Sequence, residues 1–291
     1  MVQLLINIIV TFCVLLLIGY SFRYIYSTLR FFHLAHAVTL TLGAYFVFQM
    51  SIRWGWPFWV STIVSVFSGV LLMLLCHLLL YRPLKKRNAE GWQMMVSSLG
   101  VYVVLQNVVS LIWGDTRVTI KSWEVAVGHE ILGGFVTNVQ IITVVVCLLL
   151  VSLVFILGRL TNSGQKIQAV GSSAAVSSIL GISSDSAIAF SMAIGTAMMA
   201  VAGILIAADV DMTPTMGFDW LLYGVVAMII GGMGRMRHIL LGALLLATAQ
   251  HLSAYLLDSK WMNATAYVIL IILLCFRPYG LSGRGAKKTD V

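Results

Sequence analysis

Long apolar runs separated by short polar turns dominate the pattern of this chain. A membrane-spanning helix needs about 20 mostly apolar residues, and nine runs reach or approach that length. We therefore predict an all-α integral membrane protein, a polytopic bundle of about nine transmembrane helices, with eight to ten as the range. The predicted spans are residues 2–22, 29–50, 58–81, 93–113, 135–158, 186–208, 220–233, 239–257 and 261–276.

The composition agrees with a membrane location. The chain has 291 residues, of which 60% are hydrophobic and only 10% are charged. That is more apolar surface than a soluble domain of this length hides in one core. The first run has no positively charged segment before it and no small-residue cleavage site after it, so we expect a retained span and not a signal peptide. Membrane lipid is therefore the expected surroundings of most of the chain.

Lysine and arginine are distributed unevenly over the predicted turns. If all nine runs cross, fourteen of the 18 basic residues lie on one side and four on the other. The positive-inside rule assigns the richer side to the cytoplasm, which predicts a multi-pass membrane protein with the N-terminus outside and the C-terminus inside. The richer side holds Arg23, Arg30, Arg82, Lys85, Lys86, Arg87, Arg159, Lys166, Arg235, Arg237, Arg277, Arg284, Lys287 and Lys288, and the other holds Arg53, Arg117, Lys121 and Lys260.

Several classes of function are disfavoured by the residues themselves. The basic residues are scattered over turns and do not gather on one face, so nucleic-acid binding is not predicted. Two glycine-containing stretches, residues 158–166 and 280–289, lack the spacing and the strand–helix setting of a phosphate-binding loop. Nucleophile-elbow and zinc-protease motifs are absent from the sequence, as is a pair of carboxylates within the apolar runs. We therefore predict that the chain is not an enzyme.

Two segments between runs are too long to be simple turns. Residues 159–185 are rich in small residues, with apolar positions three or four apart, which indicates a short helix on the cytoplasmic face. Such a helix either contacts a partner protein or lies against lipid headgroups. Residues 115–134 alternate apolar and polar positions, which predicts a short hairpin or an interfacial strand pair, or else an ordinary capping loop. The alternating positions are Val118, Ile120, Trp123, Val125 and Val127.

Polar and glycine-rich positions inside the apolar runs are candidates for a solute pathway. Polar side chains there are expensive and tend to face the bundle interior, although interhelical hydrogen bonding explains them equally well. The run 220–233 is short and ends in glycines, which at membrane depth survive only where the freed backbone is buried or lines a cavity. The polar positions are His77, Gln106, Asn107, Gln250 and His251.

Metal and disulfide chemistry is not predicted. His33 and His36 are spaced to share a helical face, but a third ligand is not evident, so polar packing at a helix end is favoured over a metal site. Cys13, Cys76 and the two further cysteines, Cys147 and Cys275, fall inside apolar runs without paired spacing. They are typical of small core residues.

Short motifs follow one another from the first turn to the C-terminus. They are residues 32–37 (FHLAHA), 42–45 (LGAY), 81–84 (YRPL), 99–100 (LG), 105–107 (LQN), 180–182 (LGI), 202–205 (AGIL), Pro214, 217–218 (GF), 231–234 (GGMG) and 276–281 (FRPYGL). Each motif alone is weak, but their order and spacing together are specific. By them the chain resembles the LivH-type permease, the membrane subunit of ATP-binding-cassette importers for branched-chain amino acids.

The resemblance implies an assembly and a division of labour. The partners would be a second, LivM-like permease subunit, two cytoplasmic ATP-binding-cassette ATPases and an external or periplasmic solute-binding protein. ATP and magnesium would be bound by the ATPases, with no cofactor in this chain. The segment 159–185 resembles the coupling segment that seats in an ATPase, and the positions expected to couple are Gly164, Ala169, Leu180, Gly181 and Ile182.

For the translocation pathway we expect His36, Asn107, Gly231, Gly232 and Gln250 to contribute. The whole chain, residues 1–291, is expected to form one transmembrane permease domain that includes the coupling segment 159–185. The resemblance implies that it lies in a bacterial-type inner membrane. The main alternatives are a stand-alone channel or secondary carrier, a membrane scaffold that transports nothing, and an importer of the same kind for other amino acids, amides or urea.

The chain departs from the family pattern at positions that bear on its cargo. The family usually has glycine at Ala37, acidic residues at Ser172 and Ser173, and lysine at Tyr223. Its G-S-x-x-G turn is replaced here by residues 234–238, which include Arg235 and Arg237, and a glutamate of the eighth span falls near Gln250 and His251. These departures bear on the cargo because pathway-facing and coupling-segment positions are among them. They do not disturb the predicted architecture.

Overall fold

A computed structural model describes residues 1–121, 128–131, 133–232, 238–276 and 281. Within these ranges the chain forms twelve α-helices and one antiparallel pair of short strands. The helices are α1 (Val2–Leu29), α2 (His36–Val47), α3 (Phe58–Cys76), α4 (Arg82–Lys86), α5 (Gly91–Trp113), α6 (Asn138–Leu160), α7 (Asn162–Ser172), α8 (Ala174–Ile179), α9 (Ser184–Asp209), α10 (Met216–Gly231), α11 (His238–Leu256) and α12 (Trp261–Phe276). Two π-helical stretches, Phe48–Arg53 and His77–Tyr81, continue α2 and α3.

Each of the nine predicted runs contains an α-helix, so the all-α polytopic class is confirmed. Six helical stretches among the described residues are long and apolar enough to cross a membrane, and α10 and α12 are shorter apolar helices. The number of about nine crossings therefore stays a prediction. The six long stretches are Val2–Leu29, Phe58–Lys86, Gly91–Trp113, Asn138–Leu160, Ser184–Asp209 and His238–Leu256.

The second predicted run, residues 29–50, is wrong at its start. Arg30 ends α1 in a left-handed conformation, with φ of 61°, while its N–H donates to the Tyr26 carbonyl at 3.0 Å. The next α-helix begins only at His36. At 1.5 Å per residue α2 is about 18 Å long, and the π-helical stretch Phe48–Arg53 continues it toward the roughly 30 Å thickness of the hydrocarbon core. Almost all of its residues are buried, so α2 is an interior helix and not a lipid-facing one.

The described chain divides into two compact units. One comprises Met1–Arg23, Ala126–Leu148 and Leu222–Val291, and the other comprises Tyr24–Val125 and Leu149–Leu221. The prediction of a single permease domain is not tested by this division.

Glycines bring the helices of the second unit into backbone contact around α2. A side chain at Gly43 would come within 2.6 Å of the Ala200 carbonyl oxygen on α9, and one at Gly203 would overlap the Leu40 carbonyl. Ser65 of α3 donates to the Gly43 carbonyl at 2.7 Å. Small residues let membrane helices approach closely where no hydrophobic force drives them together. The core of this unit is therefore the packing of α2 against α3 and α9.

In the other unit the close approach involves α10 and α11. A side chain at Gly242 would overlap the Ala227 carbonyl. A hydrogen bond of 2.7 Å joins Thr11 of α1 to His251 of α11. His251 therefore makes an interhelical hydrogen bond, one of the two explanations given above for polar residues inside apolar runs.

A short antiparallel strand pair forms at the end of the segment 115–134, after the alternating positions that predicted one. Strand β1 (His129–Ile131) pairs with β2 (Gly134–Val136). Val118 instead bridges Met212, with N–H to carbonyl distances of 3.1 and 2.9 Å. The alternating positions Trp123, Val125 and Val127 lie outside the described residues. The substituted turn with Arg235 and Arg237 lies outside them as well.

Candidate functional site

The segment 159–185 folds into two short helices, which confirms its predicted helical character. Helix α7 begins after Thr161, whose side chain accepts a hydrogen bond from the Gly164 N–H at 3.1 Å, the usual N-cap arrangement. Helix α8 begins after Ser173, whose hydroxyl accepts from the Val176 N–H at 3.3 Å. Ser173 itself is extended, so the chain turns between the two helices.

Helix α7 is fixed to the chain by its own buried face. Ile167 and Val170 are 2% and 3% exposed, and Gly164 is buried as well. Ala169, predicted to couple, is half-buried on this helix. An amphipathic helix of this kind keeps one stripe on protein and the other free.

Helix α8 and the residues after it are exposed. Val176, Ile179 and Leu180 expose 56%, 84% and 71% of their surface. Gly181 has φ of 74°, with no atom within 4 Å of the position a side chain would take, and the Ile182 N–H donates to the Ser177 carbonyl at 2.9 Å. Three of the five predicted coupling positions, Leu180, Gly181 and Ile182, therefore lie together at an apolar tip.

Two arginines contact this segment. The sequence assigns them only to the cytoplasmic side of the membrane. Arg30 donates to the carbonyl oxygen of Gly171. The Arg82 Nε lies 3.1 Å from Asp185 Oδ2, with 46% and 41% of the two side chains exposed. An exposed ion pair of that kind contributes about 0–1 kcal/mol. Nothing in a single sequence marks these two among the fourteen basic residues of that side, because their partners are more than 100 positions away.

His36, predicted to line the pathway, is fully buried at the start of α2. It lies beside His33, with ring centroids 6.2 Å apart, and His33 stacks edge-on against Tyr81 at 5.0 Å. Burial lowers the pKa of His33, in the connection between α1 and α2, to about 3. This group is an aromatic cluster of the interior, and no set of three metal-ligating side chains is found among the residues that the structure describes.

Asn107, another predicted pathway residue, lies on the exposed side of α5. Its amide nitrogen donates to the Val103 carbonyl at 2.8 Å and approaches the Gln106 Oε1 at 3.4 Å. Gln106 in turn donates to Ser110 at 3.2 Å. These hydrogen bonds all run along one helix, and Asn107 is exposed among apolar side chains such as Val104 and Val108.

The remaining predicted pathway residues lie elsewhere, near the ends of α10 and α11. Gly231 ends α10 where a side chain would overlap the His238 carbonyl, and Gly232 has φ of 98°. Gln250 is 3% exposed and its amide approaches the Met262 carbonyl at 3.4 Å. Close helix packing thus explains why these residues occur here, as an alternative to the predicted role in the translocation pathway.

The departures from the family pattern occupy varied surroundings. Ala37 is fully buried, and its carbonyl lies against Gly217. The Ser172 hydroxyl donates to the Ala169 carbonyl at 2.7 Å, inside the last turn of α7. Tyr223 is 8% exposed, with its ring centroid 6.2 Å from that of Tyr267. Two of the three are therefore interior positions of the bundle.

Comparisons with known proteins agree with this architecture. The family described as branched-chain amino acid transport system / permease component matches residues 4–276. The chain is 28% identical over 289 residues to the high-affinity branched-chain amino acid transport system permease protein LivH of Escherichia coli (strain K12), covering 93% of this chain and 91% of that protein.

Two further relatives show similar identity and coverage. Identity is 26% over 288 residues to the permease protein BraD of Pseudomonas aeruginosa, with 93% and 91% covered. It is 26% over 289 residues to the probable permease protein LivH of Methanocaldococcus jannaschii, with 94% and 90% covered. No solved structure matches the chain significantly. The resemblance to LivH-type permeases is confirmed, and the chain belongs to the family of permease components of branched-chain amino acid transport systems, which are transport components and not enzymes.

Proposed function

We propose that this permease works in an ATP-binding-cassette importer that moves branched-chain amino acids into the cell across an inner membrane. In this assembly a second permease subunit completes the pore, two cytoplasmic ATPases bind and hydrolyse ATP with magnesium, and an external solute-binding protein delivers the cargo. The chain itself supplies no covalent chemistry. Its part is to hold two packings of its helices that the ATPases bias in turn.

The observation that carries this proposal is the exposed apolar tip formed by α8 and Leu180. Ile179 and Leu180 expose 84% and 71% of their surface, although α7 before them is seated on the chain. Apolar side chains held outward on a short helix suit a groove of a partner protein. The basic residues Arg30 and Arg82 contact the same segment, which supports its assignment to the basic, cytoplasmic side.

Nine crossings, with the N-terminus outside and the C-terminus inside, fit that assignment. The C-terminal ends of α1 and α6 both contact α7, through Arg30 and Gly158, as two outside-to-inside spans would. On the opposite side Lys121 donates to the Asp209 carbonyl at 2.7 Å, and Val118 pairs with Met212. The coupling roles of Gly164, Ala169, Leu180, Gly181 and Ile182, and the pathway roles of His36, Asn107, Gly231, Gly232 and Gln250, belong to this proposal.

Copurification tests the assembly. The tagged chain, extracted in mild detergent, is expected to retain a cassette ATPase and a second permease, both identified by mass spectrometry. A variant with Ile179→Asp and Leu180→Asp should lose most of the ATPase and keep the second permease, since a charged tip opposes an apolar groove. The matched control is Lys166→Ala, on the exposed side of α7. Repeated recovery of the chain alone, with leucine uptake intact, would instead favour a stand-alone channel or carrier.

A further inference from the structure

Two glycines seven residues apart mark the buried face of α7. Gly164 and Gly171 are separated by about two helical turns, so they lie on the same side of the helix. Ile167 and Val170 between them are 2% and 3% exposed. Each glycine meets a different long helix. A side chain at Gly164 would overlap backbone atoms, and one at Gly171 would make a tight contact.

Gly164 fixes the start of α7 to the end of α6. A side chain there would come within 2.5 Å of the Gly158 Cα and 2.6 Å of its carbonyl oxygen. These are backbone atoms, which cannot swing away as a side chain can. Gln168 adds a hydrogen bond of 2.5 Å from its amide nitrogen to the same Gly158 carbonyl. The start of α7 and the end of α6 therefore move together.

Gly171 fixes the other end of α7 to the end of α1. A side chain at Gly171 would lie 3.1 Å from the Ser27 carbonyl oxygen, closer than most side-chain contacts. The carbonyl of Gly171 accepts a hydrogen bond from Arg30, the residue that ends α1. A guanidinium beside the last carbonyls of a helix is favourable, because that end carries the negative part of the helix dipole.

Helix α8 differs in every one of these respects. It is separated from α7 by the extended Ser173, and the largest side chains on it point outward. A displacement of the α8 tip therefore reaches the spanning helices through α7, which is held at both ends. The two helices of the segment thus have different roles.

We propose that α7 is the transmission arm of the coupling segment, and that Arg30 is a positioning residue that clamps this arm to the end of α1. The inference rests on the proposed function, in which the α8 tip meets an ATPase. Without Arg30 the tip still docks and ATP is still hydrolysed, but closure of the ATPases is passed less completely to α1. The expected signature is a lower number of leucine molecules transported per ATP hydrolysed.

The test uses the whole complex in proteoliposomes, with leucine uptake and ATP hydrolysis measured on the same samples. Arg30→Ala is expected to lower the uptake-to-hydrolysis ratio at least about threefold while the ATPase stays bound. Arg30→Lys keeps a donor for the Gly171 carbonyl, so part of the ratio should return, although lysine is not an equivalent of arginine. The control Lys86→Ala removes an exposed cation from α4, outside the coupling segment, and should leave the ratio unchanged.

A second variant covers the case in which Arg30→Ala fails to assemble. Gly171→Ala adds one methyl group against the Ser27 carbonyl, 3.1 Å away, and should lower the ratio in the same direction. A wild-type ratio in Arg30→Ala, or in Gly171→Ala where the first variant does not assemble, overturns the clamp. Such a result leaves the importer intact, whereas a wild-type chain that binds no ATPase overturns the proposed function itself.

Discussion

Helices α3 and α5 bury similar shares of their surface and differ in what they leave outside. In the spans that contain α3 and α5, 22% and 17% of the most apolar 18-residue stretch is buried. The exposed positions of α3 are all apolar, and Ser61, Ser65 and Gly69 point inward. On α5 the exposed positions include Gln93, Gly100 and Asn107, spaced seven residues apart. The exposed positions of α3 are Trp59, Val60, Ile63, Phe67, Leu71 and Leu75.

The difference teaches that low burial within one chain has two meanings. An apolar outer face such as that of α3 is complete when lipid covers it. An outer face that contains an amide and a bare glycine suits lipid less well. A polar side chain in lipid is costly even when its amide nitrogen donates to its own helix, as that of Asn107 does. The face of α5 therefore suits water or a neighbouring permease, which is consistent with the proposed second subunit and with Asn107 beside the pathway.

A large side chain on each outer face separates the two meanings most strongly. Nothing lies within 4 Å of the position that a Cβ atom at Gly100 would take, so the side chain of Gly100→Trp starts in open space on an exposed position of α5. We expect it to lower leucine uptake about tenfold or more, equivalent to ~1.4 kcal/mol, because the indole fills space needed by water or a partner. The measurement is initial uptake in cells, normalised to the amount of membrane-inserted protein.

The matched change on α3 is Leu71→Trp, at a position that is 49% exposed. Lipid accommodates an indole, so uptake should stay within about twofold of wild type. Equal losses in the two variants would mean that the faces do not differ, and the contrast between α3 and α5 would fail.

The sequence predicts much of this contrast and little of what holds the loops. Long apolar runs located α3 and α5, and Asn107 was singled out because a polar residue in a span is costly. An apolar run does not indicate which side of a helix packs against the rest of the chain. That side is set by the interior helix α2, which begins at His36. The left-handed Arg30 and the pairing of Val118 with Met212, 94 positions apart in the chain, rest on tertiary contacts that no local pattern carries.

Exchanging the polarity of the two faces should produce opposite defects of moderate size. Ile63, 71% exposed, becomes an amide facing lipid in Ile63→Asn, so we expect several-fold less inserted protein and a lower melting temperature in detergent. Asn107→Leu removes hydrogen bonds that lie within α5 alone, so its protein level should be normal. Its uptake should fall roughly threefold, because the pathway loses a polar group. Normal uptake by Asn107→Leu would remove this residue from the pathway.

Cysteine labelling sharpens the comparison with the least disturbance of function. Thiols react as thiolates, which form in water and not in hydrocarbon. In a background without Cys13, Cys76, Cys147 and Cys275, cysteines at Gly100 and Asn107 should react with a charged, water-soluble thiol reagent at least about fivefold faster than cysteines at Phe67 and Leu75. Gly100 and Phe67 lie equally far from the starts of α5 and α3, so depth in the membrane does not explain a difference.

Fast reaction at Gly100 and Asn107 that is blocked by leucine indicates a solute path. Disulfide crosslinking of these cysteines to a second permease indicates a subunit interface. Slow reaction at all four positions would mean that lipid covers α5 as it covers α3.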